Sequence, residues 1–418
     1  MKRPILLALQ LTVTAMILLF LTNCDKHHCV HTYTLYQPVY STLSKVREGM
    51  KSSPAKGLKS TGKMYIYGDY IFLNEPNEGI HIIDNSKPAS PRNIAFITIP
   101  GNLDLAVLGN TLYADSYRDL VAFDITNPLN VTPTQFVNNV FPQRSAYYMY
   151  YSGVTNPDSI QVCTGWINHD TTLPCDGTGY LPVPGFYLTA SLDQTSSTTP
   201  TGMGGSTARF TILNNYLYAV TYSDLNIFNL SKPQYPTFAN KASIGWDIET
   251  IYPFQNKLFI GSTSGVFIYD VSTPGSPERQ TQFQHVRSCD PVIANDDHYA
   301  WSTLRTASNC GGSTNELDVI DISKITSTSL LKSYNMTNPQ GLSKDGNVLF
   351  VCDAKYGLKI YDATYPDNIK LIKQINGLEP SDVIAWNNRA LVVAKDGLYQ
   401  FDYSDLNNIR LLSKIGLN

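Results

Sequence analysis

Asp104, Glu249, Asp290 and Asp382 are the side chains of this chain best suited to chemistry, because each opens the first strand of a repeated unit. Lys63 or Met64, Arg209 and Gln340 take the same position in the remaining units. If those strands converge, these residues ring one mouth of a central channel. A mildly acidic ring would hold a cation or a polar ligand. Two of its carboxylates at a suitable separation would do the acid–base work of a hydrolase or lyase. The competing reading is a polar, water-filled channel without a ligand.

A second candidate surface lies between about residues 136 and 208, where Tyr147, Tyr148, Tyr150, Tyr151, Trp166, Tyr180 and Tyr187 fall in one long insertion. Aromatic rings on an exposed loop suit protein or carbohydrate contact, since they supply wide apolar area with a polar tip. A self-packed lid is the alternative. Catalytic motifs are missing: there is no HExxH, phosphate-binding loop, GxSxG or CxxC. Gly202-Met203-Gly204-Gly205 lacks the strand–loop–helix context of a phosphate site. His169-Asp170 and Asp296-Asp297-His298 stand isolated, and His27, His28 and His31 fall in an upstream tether. No cofactor and no metal site is expected.

The elements that must position these groups are short repeats. The runs from Glu78 to Pro91, Arg118 to Pro133 and Ser264 to Pro277 share an apolar strand, an acidic residue, Ser or Thr two residues later, and then Pro. The acidic position recurs at Asp84, Asp124, Asn229, Asp270, Asp321, Asp362 and Asp402. Most steps are close to 40 residues, the spacing of a four-stranded propeller blade. Only the step from Asp124 to Asn229 is long, at 105 residues, and it contains no further copy of the pattern. The fold class is therefore all-β, a propeller of about seven four-stranded blades with one insertion between blades two and three. The repeated acid sits where the third strand turns into the fourth. There it accepts turn N–H groups while Pro presets φ, a structural role. In the last unit the chain supplies its own fourth strand, so exchange between the termini is either absent or provided by Tyr33 to Tyr40.

The runs IHIID, LVAFD, VFIYD, LDVID, LKIYD and LYQFD resemble those of the LVIVD-repeat family of β-propellers. The resemblance covers nearly everything after Gly57. It is closer still to lipoprotein members of Bacteroidetes-type bacteria, through Tyr33 to Tyr40, Ile80 to Ala95 and Gly202 to Phe210. It implies the propeller fold and no particular reaction. Asn229, the missing Pro after Asp321, and Asp405 in place of Pro depart from the pattern and weaken three turns.

Composition sets the compartment and the partners. Met1-Lys2-Arg3 precedes an apolar run to Leu21, and Leu21-Thr22-Asn23-Cys24 resembles a bacterial lipobox. The expected organisation is a signal peptide over 1–23, a lipidated Cys24 and tether over 24–56, and a propeller over 57–418. An uncleaved membrane anchor is the alternative; either places the body outside the cytoplasm. Disulfides persist there, and Cys163 with Cys175, and Cys289 with Cys310, are candidate pairs. Cys352 reads as a buried, unpaired thiol. A formal charge of -3 without a basic block argues against nucleic acid. The expected protein is a monomeric outer-membrane lipoprotein, facing the periplasm or the cell surface. Its expected role is a binding scaffold for an envelope protein or glycan, with hydrolase or lyase chemistry at the channel mouth as the alternative.

Overall fold

The computed structural model describes residues 30–147, 149–174, 203–288, 291–296, 298–306, 312 and 314–418. Seven antiparallel meanders follow one another along the chain, each made of four consecutive strands A to D. Strands A of successive blades touch one another from blade one to blade seven and so surround the axis. Their spans are Met64–Tyr67, Leu105–Leu108, Phe210–Leu213, Ile248–Phe254, Val292–Ala294, Leu342–Asp345 and Pro380–Trp386.

The sequence explains the inner strands simply. A blade is covered on both faces by its neighbours, so a strand can be apolar at every position rather than at alternate ones. Leu120, Val121, Ala122 and Phe123 are all fully buried, as are Ile82 and Ile83. In every blade the pairing of strand C with strand D slips by one residue just before the repeated acid. That bulge tightens the local twist and turns the acid toward the connecting loop.

All seven turns close alike. Asp84, Asp124, Asn229, Asp270, Asp321, Asp362 and Asp402 each accept a hydrogen bond from the backbone N–H two residues on. The intervening N–H, as in Ile125 to Asn110 and Val271 to Asn256, donates to the A–B loop of the same blade. The Ser86 hydroxyl and Arg92 bring Asp84 down to about 2, and the Ser404 hydroxyl, the Ser404 N–H and Arg410 do the same for Asp402.

Blade one is widened at both edges. Lys51–Pro54 adds a fifth strand outside strand D, after a short helix, Leu43–Glu48. Leu43, Val46 and Met50 join the apolar core, and Arg47 pairs with Asp119 of blade two at 2.5 Å. This amphipathic stretch covers the outer edge of blade one. Strand Val30–Thr42, which contains Tyr33 to Tyr40, pairs with Gln161–Pro174 and takes no part in closing the ring. Closure rests instead on a parallel bridge between Leu58 and Leu417. It is reinforced by Asn418 N–H donating to Leu58 O at 2.7 Å and by an apolar cluster that includes Met64, Ile71, Ile384 and Leu398. The chain divides into two compact units, 1–39 with 165–189, and 40–164 with 190–418. The second contains the propeller; in the first, Thr34 Oγ1 donates to Asp170 at 2.7 Å.

Candidate functional site: the axis and the insertion

The return limb of the insertion runs through the centre of the ring. Met203 and Gly204 pair antiparallel with Ile66 and Tyr65, adding a strand on the axial side of blade one. Gly205 N–H donates to Met64 O at 3.2 Å. Ser206 Oγ and Thr207 Oγ1 donate to Asp382 of blade seven at 3.0 and 2.8 Å, and Leu342 N–H of blade six donates to Ser206 Oγ. Ala208 O accepts from Ile251 of blade four, and Arg209 N–H donates to Asp104 of blade two at 2.5 Å. Five blades therefore grip seven residues. Between Met203 and Arg209 the segment is Gly, Gly, Ser, Thr and Ala, and at Gly205 no side chain fits: a Cβ there would lie 2.0 Å from Asp382 Oδ2. A Cβ on Gly341 would likewise lie 2.3 Å from Asp382 Oδ1 and 2.8 Å from Ser206 Oγ.

The strand-A residues singled out by sequence do converge, and most are engaged by the fold itself. Asp104 is buried and pairs with Lys63 Nζ at 2.8 Å. Burial pushes Lys63 down and Asp104 up, and the opposite charge of each partner works against both shifts. Asp382 is pushed up to about 7 by burial, against the hydrogen bonds from Thr207 and Ser206. Glu249 and Gln340 face a cavity of about 220 Å³ above the return limb, with Arg305, Thr207, Gly341 and Ser381. Burial alone lowers Arg305 to about 10. Asp290 lies outside the described residues.

The outgoing limb of the insertion is pinned to blade two. Arg144 donates to Asp115 and to Gly101 O, and Asp115 also accepts from the N–H groups of Leu103 and Asp104 at 2.8 Å. Just beyond, Met149 and Tyr150 are 82% and 79% exposed, Tyr147 is exposed, and Tyr151 is buried beneath them. Tyr147 lies 5.8 Å from Tyr40, and Tyr150 lies 5.1 Å from Tyr151 in an edge contact. Trp166 is exposed on strand Gln161–Pro174. Tyr148, Tyr180 and Tyr187 fall outside the described residues, as do Cys24, Cys29, Cys175, Cys289 and Cys310, so both candidate disulfides do as well. Cys352 is fully buried with a free thiol that burial raises well above its usual range.

Two features escaped sequence reasoning. The axial course of Met203 to Arg209 was masked by its lack of period, although two adjacent glycines before Ser-Thr-Ala were its signal. The exposed Tyr222 and Trp246, on linkers of blades three and four, carried no motif.

Comparisons with known proteins agree with this architecture. The family model described as the LVIVD repeat matches residues 60–95 and 311–336. No curated protein matches the sequence. A solved structure of a Lactobacillus plantarum protein is similar at 12% identity, covering 85% of this chain and 96% of that one, with a TM-score of 0.53. Sqt1 of Saccharomyces cerevisiae is similar at 6% identity, 87% of each chain and a TM-score of 0.52. BamB from Moraxella catarrhalis is similar at 8% identity, 88% of this chain and 97% of that one, with a TM-score of 0.50. Likeness at these identities concerns the fold alone.

Proposed function

From a seven-bladed β-propeller that carries LVIVD repeats, we propose a monomeric, lipid-anchored scaffold of the cell envelope that captures a protein through its insertion and does no catalysis. The observation that carries this reading is the exposed Tyr147, Met149 and Tyr150 set on a turn whose base is fixed by Arg144 and Tyr151. Large amphipathic side chains on a rigid base bind with little ordering cost, as the anchors of protein interfaces do. The state of the axis supports binding over chemistry. Asp104 is committed to Lys63 and the Arg209 N–H, and Asp382 to the return limb. The envelope location rests on the apolar leader and the Cys24 lipobox.

The test is capture of detergent-solubilised envelope proteins by the chain from Asp25 onward, with and without Tyr147→Ser and Tyr150→Ser together. The expected result is a protein, identified by mass spectrometry, that the double variant fails to retain although its melting temperature is unchanged. The same proteins retained by both forms would overturn the reading. Incorporation of labelled palmitate into wild type and its loss in Cys24→Ala test the anchor; label retained in the variant would remove it.

A further inference from the structure

Four linkers of blades three and four, all on the side of the ring that carries the B–C and D–A connections, bring a second set of side chains together. Tyr222 lies on the B–C linker of blade three, and Trp246 and Asp247 lie on the linker that follows that blade's strand D. Thr263 and Arg287 lie on the corresponding linkers of blade four. The Trp246 side chain is 73% exposed and Tyr222 50%, with ring centroids 5.9 Å apart and planes at 65°.

The backbone holds this set in place. Ile248 N–H donates to Tyr222 O at 3.1 Å, and Thr263 N–H donates to Asp247 O at 3.1 Å. Asp247 adopts φ 56°, in the left-handed region that Asp and Asn tolerate better than other side chains do. Its carboxylate then accepts from Thr263 Oγ1 at 3.2 Å and from Arg287 Nη2 at 3.1 Å. A hydrogen bond to Asp247 also raises the Tyr222 hydroxyl above its usual range. An acceptor, a guanidinium and a phenol thus lie beside an exposed indole. None of these residues belongs to the turn motif that builds the blades.

We propose that Trp246, Tyr222, Asp247 and Arg287 form a glycan-binding subsite that takes one pyranose ring. The apolar C–H face of the sugar lies on the indole, and its hydroxyl edge meets Asp247 and Arg287. Vicinal hydroxyls both donate and accept, so a carboxylate beside a guanidinium satisfies both roles with charge-assisted bonds. Other occupants fit less well. A phosphate-bearing polymer would meet the Asp247 carboxylate, and a lipid surface would require Asp247 and Arg287 to be dehydrated. The site is separate from the insertion surface and does not depend on the protein partner proposed there.

The experiment titrates the soluble chain from Asp25 with cello-, malto-, manno- and chitohexaose, followed by calorimetry and tryptophan emission. A proline-rich peptide and anionic phosphatidylglycerol vesicles are run in parallel. The expected result is saturable binding of at least one hexasaccharide that Trp246→Ala weakens by about tenfold or more. Trp246→Phe keeps part of that affinity, Asp247→Asn loses part, and the Tyr147→Ser/Tyr150→Ser pair leaves it unchanged. Failure of all four sugars to bind would overturn the proposal. So would sugar binding indifferent to Trp246→Ala, or Trp246-dependent binding of the peptide or vesicles instead. Loss of protein capture in the tyrosine pair with sugar binding intact would separate this site from the insertion surface.

Discussion

The two ends of the propeller use the same residue type in opposite ways. On the side of the C–D turns, Asp84, Asp124, Asp270, Asp321, Asp362 and Asp402, with Asn229, repeat one hydrogen bond to the N–H two residues on. Those carboxylates sit near solvent and are held below the usual range by their Ser or Thr partners. At the axis, Asp104 and Asp382 have different partners, are buried, and are pushed up. The comparison teaches that a carboxylate with the same partner in every blade serves the turn, whereas one whose partners differ from blade to blade serves a particular neighbour. Here that neighbour is the return limb of the insertion.

The strongest way to break the comparison is to deny the limb its seat. Gly205→Ala places a Cβ 2.0 Å from Asp382 Oδ2 and 2.6 Å from its Cγ. Either the carboxyl or the limb must move, at an expected cost of about 2–4 kcal/mol. The measurement is the urea midpoint together with limited trypsin digestion at Arg209, whose backbone is held by Asp104. A lower midpoint and new cleavage there are expected. An unchanged midpoint with Arg209 still protected would show that the axis accommodates the limb loosely.

Asp382 sharpens the comparison through pH. Its folded value of about 7 lies above the ordinary 3.8, so between those values the folded state holds a proton that the unfolded state has released. Stability therefore falls as pH rises from about 4 to 7, by an amount on the order of 4 kcal/mol, and is flat above. Asp84 and Asp402 act in the reverse sense: their folded values of about 2 give stability that is lost only as pH falls below about 4. In Asp382→Asn the decline between pH 4 and 7 should shrink, leaving only the share of other raised carboxyls such as Asp104, while the acid limb remains. Denaturant midpoints across pH 2 to 8 read both limbs, and an unaltered slope above pH 4 in the variant would assign that decline elsewhere.

What the sequence made legible follows the same division. Seven blades could be counted because strand, acid and turn recur near every 40 residues, and local rules suffice to place each one. Aligning the starts of strand A brought Lys63, Asp104, Glu249, Gln340 and Asp382 to the axis, since blade geometry is itself periodic. Their partners were not legible. Gly205 meets Asp382, and Gly341 meets Ser206, across more than a hundred residues of chain, and no local propensity records such contacts. The role of Lys51–Pro54 as an extra strand on blade one was hidden similarly, because strand pairing at an edge depends on which edge is vacant.

Asn229 supplies the smallest prediction, on the repeated side. Its Oδ1 accepts from Ser231 N–H at 2.7 Å, the same bond that Asp270 makes to Ser272 at 2.8 Å. The turn therefore needs an acceptor oxygen and not a charge. Asp270→Asn should leave the melting temperature nearly unchanged near neutral pH, whereas Asp270→Ala removes the acceptor and should cost about 1 kcal/mol. The carboxylate of Asp270 is itself lowered, first by the Ser272 N–H and then by the Ser272 hydroxyl, so any advantage of Asp over Asn should fade as pH falls below about 4. Equal losses in the two variants would mean that charge, rather than the oxygen, holds this turn. Asn229 would then mark a weak blade, and that blade lies directly after the insertion and contributes Tyr222 to the sugar site.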